Sequence, residues 1–490
     1  MDQNLNAKVF IGGERVDSMS HGRLRVVNPY TEQLVVEVPA GTTADVDRAV
    51  AAARTAFDSG PWRRMELDER MEVVTRLRDI LAHRQDEIAS LITEEMGCPI
   101  TQSRAMQATG PVLLLDTFLE LAPHYPWADV RRTKTGTSLV TRDAIGVVAA
   151  IIPWNSPLTV GMIKIAPALL AGCSVVVKPS PEAPLDLYLL AEAAALAGIP
   201  DGVVNVVPAD RAESEYLVTH PDVDKVAFTG STAAGLRIAE LCGRDLRRVS
   251  LELGGKSAAV VLDDADPDTV MESVRRFSLR YNGQACNNKI RILLSNKRKA
   301  EMIGRLKALL EAMPIGDPHD PDTQIGPLVT PRQRERVELY IAGATRQGAT
   351  LVTGGGRPPD QPRGWFVQPT LFADVSLEMT IAQEEVFGPV LGLITYESEA
   401  HAVAIANNSV YGLSGSVFSA DEEHALAIAR QIETGTVEVN GNTTGFYAPI
   451  GGFRRSGIGH EGGIEGFDEY VNVKTFGISP SLADVLDHRR

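Results

Sequence analysis

Apolar residues along the chain follow two rhythms. Between residues 146 and 281, short continuous runs of branched apolar residues recur: GVVAAII (146–152), SVVVKP (174–179), VVNVV (203–207), KVAF (225–228), VSLEL (249–253) and AAVVL (258–262). They alternate with alanine- and leucine-rich stretches of helical spacing, such as LYLLAEAAALAG (187–198) and AAGLRIAELCG (233–243). Continuous runs of this kind are strands buried on both faces, which calls for a parallel sheet with helices on either side. The pattern predicts a doubly wound α/β unit of the dinucleotide-binding kind, although an α/β domain without a nucleotide carries the same pattern. A second α/β segment runs from about 255 to 455, with strands expected at IRILL (290–294), VLGLITY (390–396), LSGSVF (413–418) and TVEVN (436–440). From His319 to Pro369 proline and glycine are frequent, so long surface connections are expected there. VRRTKTGTSLVTRDAI (130–145) alternates polar and β-branched residues around a Thr-Gly turn and reads as a protruding hairpin. YVNVKTF (470–476) reads as a short strand with no evident partner, and such edges need a covering element or another subunit. There is no internal repeat and no low-complexity segment.

Composition narrows the functional classes. A chain of 490 residues exceeds one ordinary core and implies two or three domains. Its 48 basic and 63 acidic side chains leave a net charge of −15, which argues against a nucleic-acid surface. The opening MDQNLNAKVFIGGERVD has no basic segment followed by an apolar run, so no signal peptide is expected. No apolar run reaches the length of about 18 residues that a membrane span requires. The four cysteines, Cys98, Cys173, Cys242 and Cys286, form no C-x-x-C pair, which fits a reducing cytoplasm better than a disulfide framework. None of the nine histidines stands in an H-E-x-x-H pattern, and no catalytic metal is expected.

Several segments carry candidate chemistry. Cys286 sits in YNGQACNNK (281–289), among small and polar neighbours that suit a partly exposed nucleophilic thiol, although an arbitrary cysteine is more often a buried structural one. Glu252, in SLELGGKSA (250–258), is either a solvent-facing strand residue or a buried carboxylate whose raised pKa suits a general base. The adjoining GGKS lacks the glycine of a phosphate loop, since Ser250 occupies that position. Asn155, in IIPWNSPL (151–158), lies at the carboxyl end of a strand, where an amide can stabilise an oxyanion; the competing role is to cap the helix starting near Pro157. FTGSTAAG (228–235) opens a helix at Gly230 and Ser231, a place where backbone N–H groups can hold a pyrophosphate. The single G-x-G-x-x-G match, at Gly457, Gly459 and Gly462, precedes no apolar helix and reads as chance. Lys178 ends its strand where a ribose can be held, and Glu385 and Phe387 lie in the turn-like EEVFGPV (384–390).

Taken together, PWN (153–155), VVVKPS (175–180), FTGST (228–232), ELGGK (252–256), GQAC (283–286), EEVFGPV (384–390) and PIGGFRRSGIG (449–459) resemble, in order and over essentially the whole chain, the aldehyde dehydrogenase superfamily. The resemblance implies the hydrolytic, NAD(P)-dependent oxidation of an aldehyde to a carboxylic acid through a thiohemiacetal and a thioester on Cys286. Asn155 and the Cys286 N–H would hold the oxyanion, and Glu252 would activate the hydrolytic water. Lys178 would bind the adenosine ribose, Gly230 and Ser231 the pyrophosphate, and Glu385 the nicotinamide ribose, with Phe387 packing alongside; Ile152, Trp154, Ser180 and Leu253 would also belong to the cofactor site. The substrate pocket would comprise Ser156, Thr159, Ile163, Asn287, Phe446 and Tyr447. The implied fold is α/β: a Rossmann-like cofactor domain (1–125 and 145–254), an α/β catalytic domain (255–455) and a small β oligomerisation element (126–144 and 456–490) of a homodimer or homotetramer.

Two departures bear on specificity. Pro181 stands where many NAD-preferring members have a ribose-binding glutamate, and Glu182 comes one residue later; NAD is favoured and NADP stays open. Ser156 and Ile163 replace aromatic residues of many relatives, which suggests a roomier tunnel and a bulky or aromatic aldehyde. A CoA-acylating relative would lack a base such as Glu252. A catalytically silent structural protein on this fold can lose the reactive residues, which are all present here, and a cysteine hydrolase would need a histidine near a thiol motif.

Overall fold

The computed structural model describes residues 8–488; the first seven residues, part of the segment read for a leader, and residues 489–490, the end of the expected 456–490 element, lie outside it. Five parallel strands form the middle of an eight-stranded sheet: β1 (Val147–Ile151), β2 (Ser174–Lys178), β3 (Val204–Val206), β4 (Lys225–Thr229) and β5 (Arg248–Glu252). Nearly every residue in them is buried, as continuous apolar runs require. Across the sheet they lie in the order β5-β4-β1-β2-β3. The chain therefore builds outward from β1 to β3, then crosses back to lay β4 on the other flank of β1. That reversal opens a crevice beyond the carboxyl ends of β1 and β4, the place where open α/β sheets bind ligands. Two helices start at this edge, α1 (Pro157–Ala171) after β1 and α2 (Thr232–Arg244) after β4.

The expected strand at 258–262 belongs elsewhere. Ala258–Val261 (β6) is central in a second, seven-stranded sheet, paired in parallel with β7 (Arg291–Ser295) on one side and β9 (Ser414–Phe418) on the other, with β8 (Val390–Tyr396) and β10 (Thr436–Val439) farther out. The double glycine after Glu252 carries the chain from one sheet to the other. The stretch from His319 to Pro369 also differs from expectation. It contains a 16-residue helix, α3 (Pro331–Arg346), and a strand at Thr350–Thr353. Only Val337, Ile341 and Ala344 of α3 are buried, a stripe too thin to stand out among its charges, and Pro331 marks the helix start behind the capping Thr330.

The hairpin forms from Ala128–Thr133 and Gly136–Ala144, and the tail strand Val471–Gly477 pairs with it in antiparallel register from Val471↔Ala144 to Gly477↔Ser138. The two lone edges read from the sequence thus complete one small sheet. Residues 457–458 do not join it; they pair with Leu251 and Glu252 at the edge of the cofactor-type sheet. Among the described residues no helix is long and apolar enough to cross a membrane.

Candidate active site

The residues after β1 fold over the crevice. Asn155 does not cap α1: Ser156 holds the N-cap position, and Asn155 Nδ2 donates to the Gln284 carbonyl at 3.0 Å. The Asn155 carbonyl accepts from Gln107 Nε2 at 2.9 Å, and Ser156 Oγ donates to Gln107 Oε1 at 2.7 Å. Gln107 therefore fixes the PWN turn, and Asn155 keeps one amide hydrogen free beside the segment that ends in Cys286. Cys286 itself is half-buried, whereas Cys98, Cys173 and Cys242 are fully buried. Burial pushes its thiol up to about 12, reinforced by the nearby Glu252 and Glu385 carboxylates and opposed by the Arg280 guanidinium.

The loop behind the nucleophile leaves little freedom. Tyr281, Asn282 and Gly283 follow one another at φ of 54°, 61° and 79°, a left-handed run that two of them adopt at a steric cost. Asn282 holds it in place, donating to the Gly97 and Pro327 carbonyls at 2.8 Å each and accepting from the Gly326 N–H at 2.7 Å.

Glu252 ends β5 and is 7% exposed. Burial pushes its carboxyl up to about 8, with Glu461 adding to the rise and Lys164 opposing it, and its Oε1 has no hydrogen-bond partner among the described residues. Lys164 comes from α1, where a completely buried ammonium reaches Glu461 at 2.5 Å and Thr229 Oγ1 at 2.7 Å. A lone lysine in the apolar PLTVGMIKIAPALLA was a legible signal; Glu461, in a loop, gave none. We expect Lys164→Met to lower stability by about 3–5 kcal/mol, because it strips the partner from a buried carboxylate. Chemical denaturation reads that loss, and an unchanged midpoint would count against a buried ion pair.

The other side of the crevice is built by glycines and the EEVFGPV turn. A Cβ on Gly254 would come within 2.3 Å of Glu385 Oε2, and one on Gly255 within 2.7 Å of the Cys286 carbonyl oxygen. Only bare backbone lets these groups approach. Glu385 Oε1 accepts from the Gly255 N–H at 3.2 Å, and burial raises its carboxyl to about 7. Phe387, at a left-handed φ of 59°, packs edge-on against Trp154 with ring centroids 5.3 Å apart. From α3, Gln333 Nε2 donates to the Phe387 carbonyl and Arg336 Nη2 to that of Glu385, bracing the turn. Leu253 underlies α2 at Gly235.

Farther along the edge, the Ile152 N–H donates to the Lys178 carbonyl at 3.0 Å. The Lys178 ammonium is buried without an ion pair among the described residues, and burial lowers it to about 8 against the pull of Glu182. Glu182, one residue late, turns back to accept the Ser180 hydroxyl, and its charge acts on the lysine without an ion pair forming between them. Gly230 donates its N–H to the Glu252 carbonyl at 3.0 Å, and exposed Ser231 caps α2. Gly457, Gly459 and Gly462 form no phosphate loop; Gly457 is edge pairing for β5.

The expected substrate-side residues lie at different depths. Ser156 and Thr159 both bond to Gln107, Ile163 is buried in the core, Asn287 and Phe446 are half-buried, and Tyr447 is 55% exposed at the rim. Among the described residues no cluster of histidine, cysteine, aspartate and glutamate is arranged to hold a metal ion.

The family model "Aldehyde dehydrogenase family" matches residues 16–476. The chain belongs to this family. A geranial dehydrogenase from Castellaniella defragrans is 47% identical, over 95% of this chain and 98% of its own. A 3-succinoylsemialdehyde-pyridine dehydrogenase from Pseudomonas sp is 41% identical over 95% and 97%. Among solved structures, a Mycobacterium tuberculosis aldehyde dehydrogenase complexed with NAD+ superposes with a TM-score of 0.95 at 43% identity, covering 96% of this chain and 98% of that one. A mutant aldehyde dehydrogenase of Pseudomonas syringae, complexed with NAD+ and octanal, does so at 0.95 and 38%, covering 98% of each. The protein is thus an aldehyde dehydrogenase, and the α/β architecture with its three main sheets is that of the family.

Proposed function

We propose that this aldehyde dehydrogenase converts an aldehyde, NAD+ and water into a carboxylate, NADH and two protons through a covalent adduct on Cys286. The observation that carries this reading is the meeting, at the carboxyl edge of the parallel sheet, of a half-buried thiol, a free amide hydrogen and a buried carboxylate with one oxygen unpartnered among the described residues. Cys286 Sγ adds to the carbonyl carbon as its proton leaves, forming the S–C bond of a thiohemiacetal. The second amide hydrogen of Asn155 and the Cys286 backbone N–H hold the oxygen as it becomes negative. NAD+ supplies the acceptor for the hydride that this carbon gives up, leaving a thioester. Glu252 takes a proton from the water that attacks the thioester, and the C–S bond breaks to return the thiol; a pKa of about 8 suits a base working near neutrality.

The residues fit the dinucleotide. Lys178 presents a buried ammonium without an ion pair among the described residues, Ser180 a hydroxyl two residues on, and the turn at Gly230 and Ser231 leads into the amino end of α2, whose positive pole faces a pyrophosphate. Glu385 and Phe387 would hold the nicotinamide ribose end, with Ile152, Trp154 and Leu253 lining the slot. The Glu182 carboxylate, whose charge acts on Lys178, disfavours a 2′-phosphate and favours NAD over NADP. The substrate is a bulky or aromatic aldehyde entering past Tyr447 and Phe446, with Ser156, Thr159, Ile163 and Asn287 deeper in.

Segments 1–125 and 145–254 would then form the cofactor domain, 255–455 the catalytic domain, and 126–144 with 456–490 the oligomerisation element. Val473 and Phe476, 65% and 39% exposed on the tail strand, support assembly into a homodimer or homotetramer through that small sheet. Four unpaired thiols favour the cytoplasm as the compartment.

A panel of aliphatic and aromatic aldehydes tests the reading, run without CoA and with NAD+ or NADP+, with the acid product quantified. Acid formed with NAD+ supports it. A strict CoA requirement, or no oxidation of any aldehyde, would overturn it. Light scattering of the same preparation tests assembly, for which a 52.8 kDa particle would be the contrary result.

A further inference from the structure

We propose that Gln102 and Gln107 are positioning residues that together set the spacing between the oxyanion turn at Asn155 and the nucleophile loop at Cys286. This deepens the reading above and rests on it. The two segments come from distant parts of the chain, and the bond that joins them, from Asn155 Nδ2 to the Gln284 carbonyl at 3.0 Å, spans 129 residues. Both also rest on a third segment, residues 100–108. Gln107, fully buried, donates from Nε2 to the Asn155 carbonyl, accepts the Ser156 hydroxyl on Oε1, and accepts the Thr159 hydroxyl on its own carbonyl at 3.3 Å. Gln102 Oε1 accepts the N–H of Tyr281, where the left-handed run begins, at 3.0 Å, and its Nε2 donates to the Gln324 carbonyl at 3.1 Å. Two side chains of one short piece of backbone therefore hold the turn that carries the oxyanion donor and the loop that carries the sulfur.

The backbone between the glutamines suits this task. An α-helix turns about 100° per residue and sends side chains five apart to different sides. Ser103–Ala108 is instead π-helical, and its i→i+5 bonds bring such residues closer to one face. The helix that follows, Thr109–Leu121, has Pro111 four residues after Gln107. Proline has no N–H, so the Gln107 carbonyl lacks the helical donor it would otherwise meet, and the Thr159 hydroxyl takes that place. The segment is itself tied down, since the Ile100 N–H donates to the Pro318 carbonyl at 2.7 Å and Ser103 Oγ accepts from Thr93 Oγ1 at 2.8 Å. Each glutamine acts through the backbone it holds, Gln107 through Asn155 and Gln102 through Tyr281. An oxyanion donor works only at hydrogen-bond distance from the oxygen it stabilises, and a misplacement of about 1 Å can cost about 10²-fold in rate. Support of both partners from one rigid part removes that error, and the spacing is lost when either end slips.

Gln102→Met and Gln107→Met remove the bonds and keep the length of the side chain. With the fastest aldehyde of the panel above at saturation, each should slow the single-turnover burst of NADH by roughly tenfold or more, short of the roughly 10²–10³ lost with an oxyanion donor itself. Gln102→Glu, which keeps the acceptor for the Tyr281 N–H, should retain most of the rate. Alkylation of Cys286 by iodoacetamide develops no oxyanion, so in Gln107→Met it should run at the rate of the intact enzyme. In an Asn155→Ala background Gln107→Met should cost little more. The double methionine variant should lose little beyond the worse single one, because either loss alone frees the spacing. Losses that multiply in the double variant overturn the proposal, as does an equal loss from Gln107→Met with and without Asn155. So does alkylation slowed in Gln107→Met as much as the burst, or a full-rate burst in both single variants. Should the methionine variants not fold, Ser156→Ala and Thr159→Val each remove one bond to Gln107, and unchanged bursts in both overturn the proposal equally. An intact enzyme with no burst on any aldehyde overturns the parent reading instead.

Discussion

Cys286→Ala is expected to lower steady-state aldehyde oxidation by roughly three orders of magnitude or more while the protein still binds NAD+. The reason is that no other group can take the place of the sulfur. Cys98, Cys173 and Cys242 are buried in the cores, and burial holds the first two thiols at about 12 and about 11. An aldehyde does not surrender hydride readily until a nucleophile has added to its carbon, so the loss falls on the first chemical step. Titration of tryptophan fluorescence with NAD+ checks that the slot survives, and Trp154, which packs against Phe387, is well placed to report it. Ordinary turnover in this variant would remove the covalent route altogether.

Glu252→Gln should act later in the cycle. Loss of a general base costs about 10²–10⁴ in rate, and here it falls on hydrolysis of the thioester. Rapid mixing is expected to show one burst of NADH followed by a slow steady state. In the intact enzyme the steady rate should rise with pH as the buried carboxyl ionises near 8, and that rise should be missing from the glutamine variant. Stability follows the opposite sign. The folded carboxyl titrates near 8 rather than at 4.5, so its contribution is fully present below about 4.5 and lost as pH rises through 8. Glu252→Gln should therefore unfold less readily than the intact protein in alkaline buffer. Identical burst and steady-state rates would remove Glu252 from the hydrolytic step.

The two parallel cores were legible because burial on both faces leaves a continuous apolar run, which no other local structure produces so regularly. GVVAAII, SVVVKP and KVAF became β1, β2 and β4 within a residue or two. AAVVL looks like one more strand of the same series, since nothing in its composition records that the glycines before it turn the chain into another sheet. Residues 331–346 hide a helix because it lies on the surface and needs only three apolar contacts. Within the site, Cys286, Asn155 and Glu252 stand out by chemistry at sheet edges. Gln107 and Glu461 do not, because their importance arises from neighbours far away in sequence: Gln107 from the PWN turn and Glu461 from Lys164. A period or a motif carries no information about such meetings.

The pairing of Lys164 with Glu461 also sets a timetable for biosynthesis. Helix α1 emerges from the ribosome well before its counter-ion, which lies 297 residues farther along the chain. The small sheet likewise waits for its last strand, Val471–Gly477, to reach a hairpin completed by residue 144. A nascent chain should therefore hold Lys164 without its counter-ion, and the surroundings of Glu252 incomplete, until residue 461 has been made.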